Sequence, residues 1–273
     1  MFRLLAGVEP DSSSGSQQEP LSLREEFRWR RFGLDYNTPL DFLRSQWQST
    51  PKSTPFLVYR WALGCFFGVG VVGYIREYFQ KGTVFIYLTN WGFILCGIVS
   101  ISGAILVTVY HFKQETWAPP NWLIKTYWAG YWINIAIAFL IASIYWSVIY
   151  PKDRVLTNPT RVSDVYNLWT HLVPPIALTI DHLLVAQPAR LLHFVYPLGF
   201  SLFYVSFAFV YYLLGGTQID GRAYLYSFLD FTKPKRIAMT VLRISVVIVS
   251  LSNLQYGVYR LRTFIARKLG KLQ

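Results

Sequence analysis

Six long apolar runs divide a chain whose charges crowd its two ends and its connectors. The runs cover residues 56–76, 83–111, 121–149, 162–186, 191–216 and 236–261. Each has about 20 residues or more, enough for a helix rising about 1.5 Å per residue to cross roughly 30 Å of hydrocarbon. The pattern predicts an all-α fold: a polytopic integral membrane protein built as a bundle of six transmembrane helices. It divides the chain into a polar N-terminal segment (1–54), a six-span domain (55–262) and a basic tail (263–273).

Within the first segment, DSSSGSQQEP (11–20) is polar and turn-rich and reads as disordered. EEFRWRRFGLDYNTPLDFLRSQW (25–47) interleaves aromatics with charges and suits a membrane interface. No apolar core of signal-peptide length precedes the first run, which is therefore expected to act as an uncleaved targeting signal.

Composition agrees with the pattern. Hydrophobic residues make up 53% of the chain, aromatics 18% and charged residues only 15%, which excludes an ordinary soluble domain. The formal net charge of +12 calls for no nucleic acid. Counted by connector, 14 Lys and Arg lie on the side of the N-terminus and 9, Arg154 and Arg161 among them, on the other. That bias predicts cytoplasmic N- and C-termini. The expected partners are membrane lipids, with the basic amphipathic tail RLRTFIARKLGKLQ on the anionic cytoplasmic leaflet. Cys65 and Cys96 both fall inside apolar runs, where they read as small packing residues. Gly64 and Gly68 in the first run permit close helix packing.

Ionisable and polar groups inside the spans are costly in lipid and are the functional candidates. The stretch NLWTHLVPPIALTIDHLL (167–184) holds His171, Asp181 and His182 around Pro174 and Pro175. The two prolines deprive the carbonyls of Thr170 and His171 of helical donors. Such a break is tolerated where it faces protein or a wet cavity. By helical rise, Thr89, His171 and Arg243 lie about 9, 13 and 10 Å below the face opposite the termini. A hydroxyl, an imidazole and a guanidinium are thus expected at nearly one level. Asp181 lies about 15 Å from His171 along its helix. It shares its depth with Arg60 and Asn253, which predicts a structural polar network in which Arg60 neutralises Asp181. No histidine or carboxylate pair has close metal-ligand spacing, and no metal or cofactor is expected.

The run LLHFVYPLGFSLFYVSFAFVYYLLGGT, the following YLYSFLDFTKP and the N-terminal FGLDYNTPLDFLRSQW resemble the rolling stone family of insects and its relatives. That resemblance implies a role in cell–cell fusion, notably of myoblasts during muscle development, and a plasma-membrane location. More distantly, the chain resembles the androgen-induced multi-span membrane hydrolases. Tyr87-Leu88-Thr89 is similar to their threonine motif, and His171, Pro175 and Asp181 to their histidine element, with Asp where that family has Glu. This implies a threonine/histidine hydrolase acting on fatty-acid esters of hydroxy fatty acids. Thr89 would be the nucleophile and His171 its base. Arg243 is our own addition from depth, as a group holding the substrate carboxylate. A non-catalytic membrane scaffold remains the alternative. A transporter fits less well, because the spans lack repeat symmetry.

Overall fold

The computed structural model describes residues 22–153, 162–218 and 221–271. The polar stretch 11–20, and Arg154 and Arg161 of the connector charges, lie outside these residues. Among the described residues, five helices are long and apolar enough to cross a membrane: α1 (Thr54–Tyr78), α2 (Leu88–Phe112), α3 (Asn121–Ile149), α6 (Leu191–Leu213) and α7 (Pro234–Lys268). The fourth apolar run is not a continuous helix. It forms α4 (Asp164–His171) and α5 (Val173–Leu184), which meet at Leu172. The pattern of runs predicts six membrane helices; five continuous ones are found, and the fourth run is this broken pair. Pro174 and Pro175 fall in the first turn of α5, where a missing N–H removes no helical bond.

The described ends of the chain meet at one end of the bundle, where the Gln46 side-chain amide donates to the Lys271 carbonyl at 3.5 Å. The broken pair runs the length of the bundle. At its start the Ser163 N–H donates to the Tyr78 hydroxyl at the far end (3.0 Å). At its finish the Gln46 N–H donates to the Leu184 carbonyl (2.8 Å).

Close packing of α1 on α2 follows from small residues. A Cβ on Gly64 would sit 3.3 Å from the Ser100 carbonyl, so the two backbones approach as only a glycine permits. Around that contact the core is aromatic. Phe42 from the N-terminal segment meets Trp128 edge-on at 5.2 Å, within a cluster that includes Leu43, Ile124 and Tyr131. Residues 22–53 are therefore packed on the bundle rather than trailing from it.

The C-terminal end of α5 shows how a buried helix end is satisfied. Its last four carbonyls have no partner within the helix. The Asp181 carbonyl accepts from Val185 N–H (2.9 Å). The His182 carbonyl accepts from Arg262 of α7 (2.7 Å). The Leu183 carbonyl accepts from the Trp47 indole (2.8 Å), and the Leu184 carbonyl from Gln46 N–H (2.8 Å) and the Ser45 hydroxyl (2.9 Å). Arg262, fully buried, also donates to the Gln187 carbonyl at 2.7 Å. Its charge thus rests on the negative end of a helix dipole.

Candidate functional site

Two regions inside the bundle bear on function. The first is near the chain ends. Arg60 of α1 donates through Nη1 to Asp181 Oδ1 at 2.7 Å and through Nη2 to the Tyr127 hydroxyl at 2.7 Å. The Tyr59 hydroxyl donates to the same carboxylate oxygen at 3.0 Å. Arg60 and Asp181 are 2% and 0% exposed, so each charge is held by its partner and by neutral hydroxyls. Gly103 provides the room: a Cβ there would overlap the guanidinium. Asn253 does not join the pair. It is exposed, and the buried polar residues of that stretch of α7 are Ser252 and Gln255.

The second region lies at the opposite end. A cleft opens between α2, α3, α6, α7 and residues 226–229, with about 500 Å³ of unfilled space that includes its open mouth. Its walls are apolar, including Leu140, Ile141, Ile144, Val205, Phe228 and Ile244, and among the described residues no charged side chain lines it. Thr89, Tyr145, Ser201, Tyr204 and Tyr226 also border it, but almost none of the surface it exposes is polar. The Tyr226 hydroxyl accepts from Leu88 N–H at 3.1 Å, and Thr89 and Tyr204 border the same cleft. Tyr204 in turn donates to the Ile86 carbonyl at 2.8 Å. Ser201 Oγ is buried on the cleft wall without a hydrogen-bond partner among the described residues.

His171 sits behind one wall. Its ring stacks on Tyr145 with centroids 3.5 Å apart and planes inclined by 21°. Nδ1 lies 3.0 Å from the Asn167 carbonyl and 2.9 Å from the Thr170 hydroxyl. A carbonyl facing Nδ1 requires the proton there, which leaves Nε2 with the lone pair. Tyr145 begins a single π-helical turn, Tyr145–Ile149, at the end of α3. Such turns insert one residue into the helical register and re-aim side chains, often at functional sites. The break at Leu172, the π turn and the cleft therefore converge on one tyrosine, shared by the wall around Thr89 and by His171.

Arg243 is not part of this assembly. It is exposed on α7, while its neighbour Ile244 faces the cleft. Depth along a helix gave its level but not its direction. Sequence reading also passed over Tyr145, Ser201, Tyr204 and Tyr226. The connector YLYSFLDF was the available signal, since so many aromatics between two spans have to be packed against something. Among the described residues no three His, Cys, Asp or Glu side chains are grouped as a metal site. Cys65 and Cys96 are free thiols.

These features define a helical, polytopic integral membrane protein with an apolar cleft between its helices. The family model described as "Protein rolling stone" matches residues 20–272. Protein rolling stone of Drosophila melanogaster is 34% identical over 257 residues, covering 90% of this chain and 92% of that protein. The chain belongs to the rolling stone family. No solved structure matches it.

Proposed function

We propose that this protein serves in cell–cell fusion, notably of myoblasts during muscle development, as a plasma-membrane protein that holds the acyl chain of a lipid. The observation that carries this reading is the cleft. Its apolar walls match hydrocarbon, the ligand most abundant around membrane helices. The kinship with rolling stone supplies the fusion context. The excess of Lys and Arg on the side of the chain ends supports cytoplasmic termini.

The test is a fusion assay in cultured myoblasts lacking the endogenous protein and re-expressing either wild type or the cleft-filling variants Val205→Trp and Ile149→Trp. Surface expression is matched. The reading expects both variants to restore fusion poorly. Full rescue by correctly localised variants would remove the cleft from the function.

A second reading is the threonine/histidine hydrolase of fatty-acid esters of hydroxy fatty acids, favoured by the shared wall at Tyr145. In that reading His171 Nε2 takes the Thr89 proton as the hydroxyl oxygen attacks the ester carbonyl, the hydroxy acid leaves with that proton, and a water deprotonated by the same nitrogen then releases the fatty acid from Thr89 and restores its hydroxyl. Exposed Arg243 would meet the substrate carboxylate only from outside the cleft. Labelling by a fluorophosphonate, lost in both Thr89→Ala and His171→Ala, would favour this reading. Unlabelled, folded wild type would leave the non-catalytic one.

A further inference from the structure

The N-terminal segment presents a surface that neither the cleft nor the buried ion pair uses. Residues 22–33 are fixed from the inside. Glu26 is buried, and its carboxylate accepts from Leu191 N–H at 3.3 Å. The Tyr196 hydroxyl donates to the Phe32 carbonyl (2.6 Å), His193 Nε2 to the Gly33 carbonyl (3.1 Å) and Arg190 to the same carbonyl (2.7 Å). These bonds dock the segment beside the first turn of α6, where its apolar stretch begins.

The outward side has the opposite character. Trp29 is 86% exposed, Phe27 67% and Leu23 60%. Leu23 and Phe27, four residues apart, share a face, and Trp29 is braced by Phe32 with ring centroids 5.5 Å apart. Arg24, Arg28 and Arg30 are exposed between them. Glu25, within this stretch, is turned back on its own turn, accepting from Ser22 N–H and Ser22 hydroxyl at 3.1 and 2.8 Å. At the same end of the bundle, Phe112 and Trp122 close α2 and open α3, and both are exposed as well. Aromatic rings at helix ends belong at the headgroup level, where one part of the ring is dry and the other wet.

We propose that residues 22–32 form an interfacial anchor for an anionic leaflet on the side of the chain ends. Leu23, Phe27 and Trp29 enter the boundary between headgroups and acyl chains, and Arg24, Arg28 and Arg30 engage lipid phosphates. Charge decides between this occupant and a protein. Three exposed arginines, with Glu25 turned back on Ser22 and Asp35 paired with Lys125, complement a surface of negative headgroups, and a row of apolar side chains lying beside a membrane helix meets lipid first. The anchor does not depend on the cleft or on any chemistry there.

The experiment uses the full-length chain in nanodiscs, with Phe27→Cys in a Cys65→Ala background. The remaining native thiol, Cys96, is buried and escapes labelling. A polarity-sensitive fluorophore on the introduced thiol is read in phosphatidylcholine with and without phosphatidylserine, beside quenching by lipids labelled in the acyl chain. The anchor predicts blue-shifted emission and strong quenching with phosphatidylserine. It also predicts a shift toward water-like emission in about 1 M salt, where screening is strong, and in the Arg24→Gln/Arg28→Gln/Arg30→Gln variant. Water-like emission in both lipids overturns the proposal. So does apolar emission without lipid quenching, which would assign the surface to a protein partner. Quenching indifferent to phosphatidylserine and to the triple substitution would overturn the anionic recognition.

Discussion

Arg60 and Asp181 are 121 residues apart in the chain and 2.7 Å apart in the bundle, joining the first membrane helix to the second half of the broken one. Both are shielded from water and lipid alike, so removing one charge leaves the other with no counter-ion. We expect Arg60→Ala and Asp181→Ala each to cost about 3–5 kcal/mol. Replacing both by apolar residues of similar size should cost far less than either alone. Thermal unfolding in detergent, run as a double-mutant cycle, measures the difference.

Gly103 extends the same argument to a residue with no charge. An added methyl would occupy the place of the Arg60 guanidinium and lie 2.7 Å from the Tyr127 hydroxyl. Gly103→Ala should therefore destabilise by at least about 2 kcal/mol through loss of the pair. The loss should shrink when Arg60 and Asp181 are already apolar. Additive effects would show that the two sites act independently.

Arg262 closes the end of α5 by two bonds to backbone carbonyls. Arg262→Met keeps much of the side-chain volume but strands both acceptors, at about 1–3 kcal/mol each. Hydrogen exchange should report the change first in the last turn of α5 and in residues 44–47, which share that end.

Burial pushes the Asp41 carboxyl, outside the spans, from 3.8 up to about 7, opposed by the charges of Arg44 and Arg262. In the unfolded chain this group loses its proton near its ordinary value; in the folded chain it keeps it to higher pH. The folded state thus binds more protons across that window, and its stability falls as pH rises from about 4 to about 7. Asp41→Asn should flatten that part of the profile. An unchanged slope would mean that another group sets it.

What the chain disclosed in advance was depth. Charge placement bounded the helices, and rise per residue put Arg60, Asp181 and Asn253 on one level. Only two of them meet, because Asn253 points outward. Direction around a helix is poorly written in a membrane sequence, where lipid-facing and core-facing sides are both apolar and the 3.6-residue period fades. Arg243 shows the same gap: right level, outer face. The π turn at Tyr145 compounds it, since one inserted residue rotates everything after it. The prolines of the fourth run were visible, yet they begin a new helix rather than kink an old one. The position of Tyr226 depends on a connector folding back onto α2 and α6, a long-range contact that no local pattern encodes.

The most direct measurement is the lipid carried by the purified protein. Native mass spectrometry from mild detergent should find wild type with a retained acyl-chain lipid. Val205→Trp and Ile149→Trp should lose it while Trp29→Ala keeps it. Equal lipid on the cleft-filled and wild-type proteins, all folded by thermal scan, would contradict the assignment of the cleft.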